Sequence, residues 1–152
     1  MDYTKFSGTY TVRRLFSDDI PSVFALCEKN PQYYEHCPPF VTSEKIEADL
    51  KALPQRKAGQ EQDKYYLGYF DVHQRLVAVM DFIDHYPDAQ SGFIGFFMME
   101  RDLQGTGVGS SIITELCAAR SSLSCVPVWR NGIINTFVWV MWMEMNKADR
   151  SG

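Results

Sequence analysis

An α+β domain, with a mostly antiparallel central sheet flanked by helices, is the fold class that three features of the sequence predict. Two runs rich in strand formers, Tyr65-Tyr66-Leu67-Gly68-Tyr69-Phe70 and Leu76-Val77-Ala78-Val79-Met80-Asp81-Phe82-Ile83, stand either side of Asp71-Val72-His73-Gln74, the pattern of a hairpin. A third run, Phe93-Ile94-Gly95-Phe96-Phe97-Met98-Met99, follows the turn residues Pro87 to Gly92, so the three form an antiparallel meander. Apolar residues at helical spacing lie on both sides of this block.

Before the meander, Tyr10-Thr11-Val12-Arg13-Arg14-Leu15 reads as a strand. Ser17-Asp18-Asp19 supplies an N-cap for a helix carrying Ile20, Val23, Phe24, Leu26 and Cys27, which Asn30-Pro31 stops. Pro38-Pro39 marks a loop, and Thr42-Ser43-Glu44-Lys45 resembles a cap leading into a second helix with Ile46, Leu50 and Leu53, ended by Pro54. Gln55 to Asp63 is polar and gives no helix signal. After the third run of the meander, Ser110 to Arg120 has apolar residues at helical spacing.

The chain has 152 residues, enough for one domain with a real core and too few for a second. Its 45% hydrophobic and 22% charged residues exclude a disordered chain. A net charge of -4, with no local basic patch, argues against a nucleic-acid partner. The most apolar stretch, Ile133 to Met145, carries Asn135 and Glu144 and is shorter than the roughly 20 residues of a membrane helix, so no membrane association is expected. Cys27, Cys37, Cys117 and Cys125 form no C-x-x-C pair, and His36, His73 and His85 show no metal-ligand spacing with them. Reduced thiols, no metal and a cytoplasmic protein without a secretory leader are the corresponding expectations.

The sharpest feature is Gln104-Gly105-Thr106-Gly107-Val108-Gly109, between a strand and a helix. There, backbone N–H groups converge on an anion at a helix N-terminus, and glycine leaves room for a positive-φ turn and a close phosphate. No lysine follows as a nucleotide-binding P-loop requires, and Ser110 stands where a dinucleotide fingerprint places a third glycine.

Gln104-x-x-Gly107-x-Gly109 matches the Q/R-x-x-G-x-G/A signature of the GNAT acetyltransferases, and Phe93 to Met99 resembles that family's fourth strand. The resemblance covers roughly residues 9 to 120 of a single domain spanning 1–152, with 121–152 atypical. It implies acetyl-CoA or CoA as co-substrate, bound at its pyrophosphate by the backbone of Gln104, Gly105, Thr106, Gly107, Val108, Gly109 and Ser110. It implies further that Phe97, Met98 and Met99 hydrogen-bond the pantetheine arm as strands pair. The reaction it implies is direct attack of a primary amine, on a small molecule or a peptide, upon the thioester. The alternative is a non-catalytic CoA-binding or interaction protein of the same fold.

Such chemistry needs a base, an oxyanion donor and a proton for the leaving thiolate. Where many relatives place a catalytic glutamate, this chain has Gly95. Asp81, Asp84, His85 and Glu100 are the residues near the cleft able to supply a carboxylate or imidazole, and none is singled out as catalytic. Tyr33 and Tyr34, between the first two helices, and Asp84 are the candidate acceptor-binding residues. Either role competes with ordinary packing.

The family's fifth strand, following helix and closing hairpin have no counterpart in Ser121 to Gly152. Two accounts stand: an unusual native C-terminus that forms a strand, or a shift of reading frame beginning between about Ala119 and Val126. Read from the last base of the Met141 codon, the alternative frame gives Val-Asp-Gly, Asn or Asp, Glu, then Gln or stop, which resembles the missing strand. With those elements absent, apolar Trp139, Val140 and Trp142 would favour a homodimer or aggregation.

Overall fold

The computed structural model describes residues 1–89 and 91–119. The chain opens with a 3-10 turn, Tyr3–Phe6, then strand β1 (Thr11–Arg14), helices α1 (Ile20–Glu28), α2 (Pro31–His36) and α3 (Ser43–Lys51), and strands β2 (Lys64–Phe70), β3 (Leu76–Asp84) and β4 (Gly92–Met99). A 3-10 turn, Arg101–Leu103, leads into α4 (Val108–Ala119). The sheet has order β1-β2-β3-β4 and every pairing in it is antiparallel, so the expected meander forms, with β1 added to its outer edge.

Two expectations change at the helices. Asn30-Pro31 interrupts the chain but does not leave a loop, because proline lacks the N–H that a first helical residue would leave unused anyway, and Pro31 therefore begins α2. The polar segment before β2 holds two 3-10 turns, Gln55–Lys57 and Glu61–Asp63, too short to show a periodicity. Thr42 caps α3 as expected, its hydroxyl accepting from the Lys45 N–H at 3.2 Å.

Alternation along the strands gives the sheet two apolar faces. One carries Tyr65, Leu67, Tyr69, Met80, Phe82 and Phe97 and packs on Ile112, Ile113 and Leu116 of α4. The other carries Leu15, Tyr66, Val79 and Met98 and packs on Val23, Leu26 and Cys27 of α1 and Ile46 of α3. Each such fully buried aliphatic side chain contributes about 1.5–3 kcal/mol, so both helix layers are firmly held.

The face alternation breaks once in β4. Phe82 pairs with Ile94 and Asp81 with Phe96, leaving Gly95 as the extra residue of a bulge. Ile94 and Phe97, three positions apart, consequently face the same core. Gly95 and Phe96 are both turned toward the side of α1–α3, where the functional groups gather.

Cys27 and Cys37 carry free thiols, whereas Cys117 is disulfide-bonded, contrary to the expectation of reduced cysteines throughout. Separation along the chain does not decide which Cβ atoms approach. No helix among the described residues is long and apolar enough to cross a membrane. The proposed frameshift, the atypical segment 121–152 and the apolar residues invoked for dimerisation lie outside the described residues.

Candidate active site

The end of β4 and the turn into α4 build the first part of the site. Gly105 and Gly107 hold φ of +74° and +88°, conformations that a side chain disfavours, and a Cβ at either would meet nothing within 4 Å. The turn is therefore open to a ligand. The first bond of α4 runs from the Ser111 N–H to the Gly107 carbonyl. The N–H groups of Gly105, Gly107, Val108, Gly109 and Ser110 find no backbone acceptor among the described residues. These are the orphan donors of a helix start, at the positive end of a 12-residue helix.

The Gln104 side chain points inward and fastens this turn. Its amide donates to Asn30 Oδ1 at 2.5 Å and to the Met99 carbonyl at 3.2 Å. Asn30, 4% exposed, in turn donates to the carbonyls of Leu26 at 3.0 Å and Met99 at 3.1 Å. The C-terminus of α1, the end of β4 and the glycine turn are thus joined by one polar network. Burial makes such a network costly to break. Lys29 pairs with Glu100 at 2.8 Å and Arg101 with Gln32 across the same junction.

Strand pairing also decides which backbone groups of β4 are free. The Glu100 N–H donates to the Val77 carbonyl at 2.7 Å, and antiparallel alternation then turns the peptide groups of Met98 toward β3 and those of Phe97 and Met99 to the outer edge. The Met99 carbonyl, taken by Asn30 and Gln104, lies on that outer side as required. Of Phe97, Met98 and Met99, the outer two turn peptide groups to an edge that no described strand pairs, where the Met99 carbonyl is already taken by Asn30 and Gln104.

The second part of the site is a cavity of about 350 Å³ on the α1–α3 face of the sheet. Its aromatic walls are Tyr33, Tyr34, Phe40, Tyr66 and Phe96, and Gly95 and Asp81 also line it. Tyr33 packs edge to face on Tyr34 at 5.0 Å and on Phe96 at 5.7 Å between centroids, and Tyr34 meets Phe40 at 4.7 Å. Burial pushes the Tyr33 phenol up to about 12 and Tyr34 higher still, so both are neutral at physiological pH.

Asp81 faces this cavity because it shares the alternation of Val79 and stands opposite Tyr66 in the register. Its Oδ1 meets Lys64 Nζ at 2.7 Å, a close ion pair rather than a well-aligned hydrogen bond, with Lys64 buried and Asp81 half-buried. Burial raises the titration of Asp81 above the ordinary carboxylate value, and Lys64 opposes the rise. Asp84, three residues on, falls on the opposite face with Phe82 and is absent from the cavity wall. It accepts from the His85 N–H at 2.9 Å. His85 lies 3.6 Å from Asp63, and Glu100 is held by Lys29. Of the four acidic or imidazole candidates, Asp81 is the one brought beside Tyr33 and Tyr34.

Among the described residues, no group of three or more acidic, cysteine or histidine side chains is arranged to hold a metal ion. The arrangement is that of an α+β domain with a glycine turn between its fourth strand and the following helix, the fold shared by the GNAT N-acetyltransferases. No family model and no curated protein matches the sequence. Among solved structures, an acetyltransferase from Thermus thermophilus is similar with a TM-score of 0.62 at 19% identity, over 76% of this chain and 71% of that one. Spermidine N-acetyltransferase from Vibrio cholerae, in complex with CoA and spermine, gives 0.54 at 14%, over 75% and 64%. An N-acetyltransferase from Thermoplasma acidophilum in complex with coenzyme A gives 0.50 at 11%, over 74% and 72%. At these identities the likeness is one of fold.

Proposed function

We propose that this chain is an acetyl-CoA-dependent N-acetyltransferase that acts on a primary amine. The observation that carries the reading is the turn from Gln104 to Ser110, where N–H groups without a backbone acceptor among the described residues and two positive-φ glycines stand at the start of α4. The donor set suits the pyrophosphate of CoA: amides at a helix N-terminus, with no Cβ in the way. The outward N–H and carbonyl of Phe97 and the N–H of Met99 suit an extended pantetheine arm, which would pair with β4 as an added strand. Solved neighbours of the same fold hold CoA in one case and CoA with spermine in another, which supports the co-substrate and a small amine as acceptor.

Acetyl-CoA supplies the activated acyl group, and the chain's own residues hold it and orient the amine. The Asn30–Gln104 network fixes the turn relative to the outer edge of β4, so that pyrophosphate and pantetheine are bound by one rigid unit. The cavity under Tyr33, Tyr34 and Phe96 lies on the α1–α3 side of that strand and receives the amine.

A panel of primary amines incubated with acetyl-CoA, with released thiol as the readout, tests the reading. Thiol release that depends on both substrates is the expected result. Acetyl-CoA binding without turnover on any amine would favour a non-catalytic CoA-binding protein, and absence of binding would remove both.

A further inference from the structure

We infer that the carboxylate of Asp81 receives the ammonium group of the acceptor and takes its proton, in a pocket shaped for a compact primary amine with an aromatic or apolar body. The proton transfer rests on the acetyl-transfer reading above; the amine site does not.

Three observations carry the inference. Asp81 Oδ2 lies 3.2 Å from where a Cβ on Gly95 would stand, so the bulge glycine leaves the carboxylate uncovered where another residue would crowd it. Oδ2 accepts no hydrogen bond from any described residue, while Oδ1 is held by Lys64. The carboxylate is thus anchored through one oxygen and presents the other to the cavity. Lys64 approaches from outside the cavity wall and opposes the rise in titration that burial causes. Of the other charges lining the cavity, Lys45 and Asp49 are paired with each other.

The walls define the rest of the ligand. Tyr33, Tyr34, Phe40, Tyr66 and Phe96 offer ring surface to an apolar body, and ring faces also attract an ammonium. A volume of about 350 Å³ is near the lower end of small-molecule sites, which excludes long or branched acceptors from full burial.

The step balances without a further reactant. Asp81 removes one proton from the ammonium and leaves a neutral amine. The nitrogen lone pair forms the C–N bond at the thioester carbonyl, the C–S bond breaks with its electron pair on sulfur, and the proton lost by nitrogen goes to the thiolate. Asp81 then gives its proton to solvent.

The test is calorimetric titration of 2-phenylethylamine into the full chain, into Asp81→Asn and into Lys64→Met/Asp81→Asn, each also titrated with acetyl-CoA. The double variant is included because Asp81→Asn alone leaves Lys64 buried without its partner. Binding to the unmodified chain, weakened roughly tenfold or more in both variants, is the expected result, the effect of losing one charge-assisted hydrogen bond. Acetyl-CoA affinity should stay unchanged. Equal amine affinity in all three proteins would overturn the role of Asp81. Failure of 2-phenylethylamine to bind the unmodified chain would overturn the aromatic-amine class. Amine binding without acetyl-CoA binding would support the amine site and overturn the proton transfer, separating this inference from the reading it rests on.

Discussion

Gly107 and Asn30 act on the same turn by different means, one through backbone conformation and the other through buried hydrogen bonds. A Cβ on Gly107 meets no neighbour, so Gly107→Ala should cost roughly 1–2 kcal/mol through the positive φ alone and weaken acetyl-CoA binding as well. Denaturant unfolding and calorimetry measure the two effects separately. Asn30→Ala leaves the Met99 and Leu26 carbonyls and the Gln104 amide short of partners, and should lower stability by about 1–3 kcal/mol in the same unfolding assay. At the surface, the Arg13 guanidinium holds Asp19 below the usual carboxylate range, joined by the Phe16 N–H and opposed by partial burial. A carboxylate with a lowered folded-state titration stabilises above its unfolded value and loses that contribution as pH falls through the folded one. Asp19→Asn should therefore lower stability at neutral pH and flatten the acid limb of a Tm-against-pH curve. Only part of this was legible in the sequence: the glycines announce a turn, but Gln104 reads as a loop donor and Asn30 as a helix stop. That both side chains turn inward depends on α1 lying beside the end of β4, a contact between residues 74 positions apart.

Between strands, the β3–β4 bulge and the Lys64–Asp81 pair belong together. Asp81→Asn strands a buried cation and should cost about 3–5 kcal/mol in unfolding free energy, while Lys64→Met/Asp81→Asn should recover most of that loss. A double-mutant cycle by chemical denaturation checks both. Period-two alternation and the hairpin segment made β2, β3 and β4 readable to within one residue at each end, because each strand buries a continuous apolar row. The short helix α2 was not readable, since six residues show less than two turns of periodicity and Asn30-Pro31 is as good a stop as a start. Gly95 illustrates the remaining gap. In the sequence it reads as a missing carboxylate; in the structure it is the bulge residue beside which Asp81 stands. A glycine within a strand does signal a bulge, but which neighbour occupies the space follows from cross-strand register, not from local pattern.

For the molecule as a whole, the two helix layers lie on opposite faces of the four-stranded sheet: α4 starts at the glycine turn, and α2 and α3 help enclose the aromatic cavity on the other face. The α+β class and the place of the turn were legible because motif, strand and helix agree over consecutive residues. The aromatic cavity proposed for the acceptor was less so, since its walls come from α2, α3, β2, β3 and β4 and converge only on folding. That division gives the central claim, that residues 104–110 with the edge of β4 form a CoA site, a direct measurement. Acetyl-CoA titrated calorimetrically into the full chain and into Gly107→Ala should give saturable binding at one site per chain, weakened in the variant. Absence of binding to the unmodified chain, or affinity unchanged by the substitution, would contradict it.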